Sequence, residues 1–125
     1  MFKNPPYDRS EPYGGLILAY KNGANAMQNI AVCDDESVEI EYLTQLTRQW
    51  AKLTETAVNI SGFASAEAFL FEYEENKDFD ILLLDIQMNA MDGIELAEKI
   101  RENNSSVQIV FITGFPDHIS RGYDV

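Results

Sequence analysis

Ile81-Leu82-Leu83-Leu84-Asp85 decides the fold: four consecutive apolar residues ending on a carboxylate. A short, continuous apolar run of this kind reads as a strand buried on both faces of a parallel sheet. The pattern occurs a second time, where Ile30-Ala31-Val32-Cys33 is followed by Asp34-Asp35. If the two runs are neighbouring strands, three carboxylates meet at the C-terminal edge of one sheet, where open α/β folds place their sites. That is the layout of a Mg2+-dependent acidic pocket.

Outward from these two runs, short β-rich stretches alternate with stretches of helical period from Met27 onward, which argues for βαβ units. Strands are expected near 29–33, 57–60, 80–84 and 108–112. Between the first two, Val38, Tyr42, Leu43, Leu46, Trp50 and Leu53 recur every three or four residues and predict an amphipathic helix with Tyr42 and Trp50 in its core-facing stripe. Ser65 reads as the N-cap of a helix burying Ala66, Phe69, Leu70 and Tyr73, with Glu72, Glu74 and Glu75 on its solvated side. After Asp92-Gly93 a third helix buries Ile94, Ala97 and Ile100, and Glu95 is placed to pair with Lys99. A fourth helix is expected to start near Pro116-Asp117.

The chain has 125 residues, 46% of them hydrophobic, enough for one domain with one core. Nine Lys and Arg face 21 Asp and Glu, a formal charge of −12 that speaks against direct binding of a phosphate backbone, so nucleic acid is not an expected partner. The single cysteine, Cys33, has no internal disulfide partner and reads as a small buried side chain, which fits a reducing, cytoplasmic setting. No apolar run approaches the ~20 residues needed to span a bilayer, and no membrane association is expected. Residues 1–26 hold three of the four prolines and one apolar patch, Leu16-Ile17-Leu18-Ala19-Tyr20, and are read as a leader or extension to a domain covering 27–125. His118, the only histidine, is expected on an exposed helix surface rather than in a site.

The residue types define the chemistry. A hard cation such as Mg2+ prefers oxygen ligands, keeps several waters and needs only two or three carboxylates plus a carbonyl. Asp34, Asp35 and Asp85 offer that set. A carboxylate beside such a cation can act as nucleophile toward a phosphoryl group, giving an aspartyl phosphate. Thr113, at the end of the fourth strand, is a candidate hydroxyl for a phosphoryl oxygen. Asp34-Asp35 also has a structural reading, as an acidic cluster favouring a helix N-terminus.

Residues 29–125 resemble the receiver domain of two-component response regulators. The resemblance is carried by Ile-Ala-Val-Cys-Asp-Asp-Glu at 30–36, Ile-Leu-Leu-Leu-Asp-Ile-Gln-Met at 81–88, Met-Asp-Gly at 91–93 and Val-Phe-Ile-Thr-Gly at 110–114, four motifs in order, each at or just after a strand end. It implies a flavodoxin-like, doubly wound α/β fold with a parallel sheet of order 2-1-3-4. It also implies that Asp85 is the phosphoacceptor, that Asp34, Asp35 and Asp85 hold Mg2+ with the backbone carbonyl of Gln87, that Thr113 is the switch hydroxyl and that Gly93 opens the turn into the next helix. The implied partners are a histidine kinase as phosphodonor and a downstream effector domain; Thr113 to Tyr123 resembles regulators whose effector is a LytTR-type DNA-binding domain. Such a module is a phosphoacceptor rather than a turnover enzyme. The alternatives are a pseudo-receiver scaffold and a phosphatase of the haloacid dehalogenase type, against which stands Gln87 where a second aspartate would be required.

Two departures from the family pattern stand out. Asn89 occupies the position after Met88 where the family usually has proline, which removes a rigid φ constraint from the loop. No residue after Thr113 is a lysine, so the chain reads as a receiver truncated before its fifth strand and last helix. The fourth strand is then expected to be a bare apolar edge. A homodimer or swapped assembly, or occupation of that slot by Leu16–Tyr20 with Lys21 near the acidic pocket, would follow.

Overall fold

The computed structural model describes residues 27–112, in which the apolar runs form β1 (Gln28–Cys33), β2 (Val58–Phe63), β3 (Ile81–Asp85) and β4 (Gln108–Ile112). They alternate with α1 (Ser37–Leu53), α2 (Ala66–Glu75) and α3 (Gly93–Arg101). All strand pairs are parallel and the order is β2-β1-β3-β4, as expected. Two boundaries differ from the sequence reading: β2 runs on to Phe63, and β3 is displaced by one residue so that Asp85 is its last member. Among the described residues no helix is long and apolar enough to cross a membrane.

Period-2 alternation divides the central strands between two cores. Ala31 and Cys33 of β1 with Leu82 and Leu84 of β3 face Phe69 of α2 and Leu96, Ala97 and Ile100 of α3. Ile30, Val32, Ile81 and Leu83 face the opposite side, where Ile40, Leu43 and Trp50 of α1 pack. The sheet is therefore covered on both faces, which is why β1 and β3 tolerate unbroken apolar sequence. Phe63, Phe69, Tyr73 and Phe79 form a chain of ring contacts with centroids 5.2–6.3 Å apart that ties β2 and α2 to the segment entering β3.

The helix ends follow from local chemistry. Ser65 caps α2 as expected, its hydroxyl accepting from the Ala68 N–H at 3.0 Å. Asp92 caps α3 in a capping box: its carboxylate accepts from the Glu95 N–H at 2.8 Å while Glu95 accepts from the Asp92 N–H at 3.3 Å. Glu95 is thus directed back along the helix rather than forward to Lys99. At the C-terminus of α1 the Thr56 N–H reaches the Ala51 carbonyl at 2.8 Å and Glu55 adopts φ 54°, the left-handed residue of a Schellman turn.

The core-facing side of α1 differs from the sequence reading. Leu43, Thr47 and Ala51 are its buried residues, with Ile40 and Trp50 packed beside them. Tyr42, expected in the core, is 56% exposed, and Val38 and Leu53 are 72% and 76% exposed. The reason is size: small Ala51, and Thr47 with its hydroxyl bonded back to the Leu43 carbonyl at 2.7 Å, let the helix lie close to the sheet. A reading weighted by large apolar side chains selects the neighbouring stripe instead.

Several expectations concern residues 1–26 and 113–125 and lie outside the described residues: the leader, the switch hydroxyl of Thr113, the fourth helix, His118 and whatever meets the edge of β4. Among the described residues β4 has β3 as its one neighbour.

Candidate metal centre

Register brings the acidic residues together. Cys33 of β1 lies opposite Leu84 of β3, so Asp34 and Asp85 are the next positions on adjacent strands, at the C-terminal edge. In this strand order the chain turns from one face of the sheet to the other at β1 and β3, which makes this edge the topological switch point. Asp34, Asp35 and Asp85 each present one carboxylate oxygen within 4.8 Å of the others. Asp34 is only 5% exposed, Asp85 is half-buried and Asp35 is exposed.

The two strand-end aspartates share one local device. Asp34 Oδ1 accepts from the Glu36 N–H at 2.9 Å, and Asp85 Oδ1 accepts from the Gln87 N–H at 3.2 Å, so each carboxylate closes a turn onto the backbone two residues ahead. These bonds favour the ionised forms, but burial and mutual repulsion outweigh them. Burial pushes the Asp34 carboxyl above its usual range, with the Asp35 charge adding to it. Burial, then the Asp34 charge, pushes Asp85 up to about 6. A group of carboxylates held close at such a cost is a donor set that a hard cation relieves: octahedral Mg2+ at ~2.1 Å places neighbouring oxygens ~3 Å apart and opposite ones ~4 Å apart, within the spread found here.

The loop from Asp85 to α3 is fixed by its backbone. The Gly93 N–H donates to the Ile86 carbonyl at 2.9 Å, and a Cβ at Gly93 would lie 2.2 Å from the Asp85 carbonyl oxygen and 3.1 Å from the Ile86 Cα. Only glycine permits this approach of α3 to the end of β3. Ala90, in the same loop, has φ 59°, a left-handed conformation that alanine adopts at a cost. Across the loop, Glu67 of α2 accepts from the Met91 N–H at 3.3 Å. Sequence reading missed Glu67, and no signal marked it, because its partner is a main-chain N–H 24 residues away.

Beneath the cluster, Cys33 is fully buried with its thiol donating to the Ser65 carbonyl at 3.3 Å and lying 3.7 Å from Met88 Sδ. Burial pushes its thiol up to about 12, so it is a packing residue and not a thiolate. Gln87 is exposed on the loop. Ile112, the last described residue, is in register with Asp85, and Thr113 is the next residue in sequence but lies outside the described region.

The profile of the response regulator receiver domain matches residues 30–122, three quarters of the chain. The chain belongs to the response regulator receiver family. Among curated relatives of this receiver, the transcriptional regulatory protein NatR of Bacillus subtilis is 28% identical over 99 residues, covering 79% of this chain and 40% of NatR. The response regulator receiver protein CpdR of Brucella abortus is 32% identical, covering 71% of this chain and 68% of CpdR. The receiver spans about half the length of the first curated relatives it matches, 40% of NatR and 47% of the heme response regulator HssR of Staphylococcus epidermidis. Of solved structures, the response regulator TrrA of Thermotoga maritima, in complex with Mg2+-BeF, aligns with a TM-score of 0.66 at 26% identity, covering 75% of this chain and 76% of TrrA. The chemotaxis protein CheY4 of Vibrio cholerae aligns at 0.61 with 18% identity over 79% of this chain and 80% of its own, a likeness of fold. The flavodoxin-like architecture and the receiver reading of the sequence both stand.

Proposed function

We propose that this receiver is a phosphorylation switch in which Asp85 accepts a phosphoryl group from a histidine kinase. In this reading Asp34, Asp35 and Asp85, with the backbone carbonyl of Gln87, hold Mg2+, and the Thr113 hydroxyl meets a phosphoryl oxygen. When bound, Mg2+ supplies positive charge against the carboxylates and the equatorial phosphoryl oxygens. The single observation that supports the reading is the convergence of three carboxylate oxygens within 4.8 Å at the switch point of a parallel sheet.

Each residue then has a task set by its surroundings. Asp85, the least encumbered of the strand-end carboxylates, attacks phosphorus: a bond forms from its oxygen to phosphorus while the bond from phosphorus to the kinase histidine nitrogen breaks, and the imidazole leaves with that electron pair. The Gln87 N–H bond to Oδ1 fixes the carboxylate plane, leaving the other oxygen for attack. Asp34, buried and tied to the Glu36 N–H, anchors the site, and exposed Asp35 offers a ligand from the solvent side. Gly93 keeps the loop bearing Gln87 against the end of β3. The chain works as a cytoplasmic signalling module rather than a turnover enzyme. Its phosphorylated state shifts the population of conformations read by an effector domain, in keeping with the relative NatR, which is named as a transcriptional regulatory protein. The boundaries we assign are a leader or extension over 1–26 and a receiver over 27–125.

The test is intact mass after incubation with Mg2+ and acetyl phosphate, beside an Asp85→Asn variant. The reading requires a single phosphate adduct in the parent chain, absent from the variant and after chelation of Mg2+. Consumption of the donor without any adduct, or an adduct that persists in the variant, would sink it.

A further inference from the structure

The loop between Asp85 and α3 is held from a helix that gives no ligand to the acidic cluster. Its two ends are fixed against β3: the Gln87 N–H donates to Asp85 Oδ1 at 3.2 Å, and the Gly93 N–H to the Ile86 carbonyl at 2.9 Å. Between them Met88 is buried, its sulfur 3.7 Å from that of Cys33, while Asn89 and Ala90 stand in solvent. To close this turn Ala90 takes φ 59°, a conformation that persists in an L residue only where contacts on either side over-determine it. On one side that contact is the burial of Met88. On the other it is the Met91 side chain against the core, together with the bond from the Met91 N–H to Glu67 Oε1 in the first turn of α2.

That first turn is itself tied to the strand that carries Asp34. The carbonyl of Ser65, the N-cap of α2, accepts from the Cys33 thiol at 3.3 Å, and Cys33 directly precedes Asp34. Glu67 therefore bridges two parts of the site, a helix start bonded to the end of β1 and the loop that bears Gln87. An acidic residue in the first turn of a helix also has an ordinary role, opposing the positive end of the macrodipole, and that role needs only its charge. The Glu67 charge reaches as far as Cys33, where it helps to raise the thiol. A bond to the main chain of another segment needs instead an acceptor oxygen in one place. Glutamine keeps the oxygen and drops the charge, so it separates the two roles.

We propose that Glu67 is a positioning residue of the metal site, its carboxylate holding the Met91 N–H so that the loop keeps the strained Ala90 conformation and with it the place of the Gln87 carbonyl. This rests on the reading of Asp34, Asp35, Asp85 and Gln87 as the Mg2+ site and adds to it a residue that touches neither the cation nor the phosphoryl group. Without the bond, Ala90 relaxes out of the left-handed region, the adjoining peptides rotate, and Met88 and the Gln87 carbonyl joined to it lose one of their restraints. Outer groups of this kind change metal affinity by about ten- to a hundredfold. Glu67 is exposed and its bond is 3.3 Å long, so the expected effect is at the lower end, about tenfold. Linkage makes the coupling reciprocal: bound Mg2+ strengthens the hold on Met91 by a comparable factor.

Calorimetric titration of the 125-residue chain with Mg2+ tests this on the parent, Glu67→Ala, Glu67→Gln and Glu67→Ala combined with Ala90→Gly. Glu67→Ala is expected to bind about tenfold more weakly, and Glu67→Gln within about twofold of the parent. Ala90→Gly in the alanine background recovers most of the loss, because glycine takes φ 59° freely. Hydrogen exchange of the Met91 amide gives a second measurement that needs no variant: in the parent it slows about tenfold when Mg2+ saturates the site, a response that a purely structural bond does not show. Equal losses in Glu67→Ala and Glu67→Gln would reduce Glu67 to a charge near the pocket and overturn the proposal. So would parent affinity in Glu67→Ala, no recovery with Ala90→Gly, or a Met91 amide indifferent to Mg2+. In each of these cases a parent chain that still binds Mg2+ and takes a phosphate adduct on Asp85 leaves the phosphoacceptor reading standing. A parent chain that binds no Mg2+ overturns the metal reading and this proposal with it.

Discussion

Replacing Asp85 by Asn should make the metal-free protein more stable at pH 8 and leave it unchanged at pH 4. In the folded chain the Asp85 carboxyl is raised from 3.8 to about 6, first by burial and then by the Asp34 charge. The native state therefore keeps a proton on Asp85 at pH values where the unfolded chain has released it. Stability tied to this group is fully present below about 4 and is lost as pH rises through about 6, since the unfolded state there binds fewer protons than the native one. Two pKa units at about 1.4 kcal/mol each set a ceiling just under ~3 kcal/mol. Asp85 is half-exposed, so water screens much of this, and about 1 kcal/mol is the expected gain for the Asn variant at pH 8. Urea unfolding followed by circular dichroism at pH 4, 6 and 8, with EDTA present, measures it directly. Adding Mg2+ at pH 8 should then stabilise the parent chain by mass action and the variant markedly less. Equal stabilities for parent and variant at all three pH values, or a variant that is less stable at pH 8, would refute the claim that these carboxylates are held together against their own repulsion.

The remaining expectations address the scaffold around the cluster. Gly93→Ala drives a Cβ against the Asp85 carbonyl oxygen, where main chain and not a flexible side chain must give way, and should cost about 2–3 kcal/mol in urea unfolding while weakening Mg2+ binding measured by calorimetry. Glu55→Gly, at the left-handed position that ends α1, should raise stability by about 1 kcal/mol, visible as an increase of several degrees in melting temperature. Glu67→Ala should speed hydrogen exchange of the Met91 amide at least tenfold, whereas Glu67→Gln, which keeps an acceptor oxygen, should leave it near the parent rate.

Legibility in the sequence followed the physics of each element. β1 and β3 were readable because strands covered on both faces need no polar alternation, so Ile30–Cys33 and Ile81–Leu84 stand out as unbroken runs, and the carboxylates after them fall at the same sheet edge by register alone. The convergence of Asp34, Asp35 and Asp85 was legible for that reason, while the order of the four strands came from the resemblance to receiver domains. The inward side of α1 was not, because what seats a helix closely on a sheet is the smallness of Ala51 and the self-satisfied hydroxyl of Thr47, and hydropathy gives both little weight. The loop 86–92 was legible only in outline. Gly93 was read as opening the turn into the next helix, but the close approach of backbone there, the strained φ of Ala90 and the bond from Met91 to Glu67 depend on packing between distant segments.

The misread side of α1 and the correctly read acidic edge have one cause. An apolar side chain in sequence announces that it leaves water, not which partner it leaves water for. For Leu82 to Leu84 the partners lie within the same sheet and its covering helices, so the inference from sequence to core is safe. For Val38, Tyr42 and Leu53 no partner exists among the described residues, yet their spacing is that of a core stripe. A periodic apolar pattern that the described residues leave in solvent has the same physical content as one they bury. The carboxylates obey the converse rule: like charges drawn together by the register of buried strands are a local instability, and it is the cation and the phosphoryl chemistry proposed above that would turn that instability into a switch.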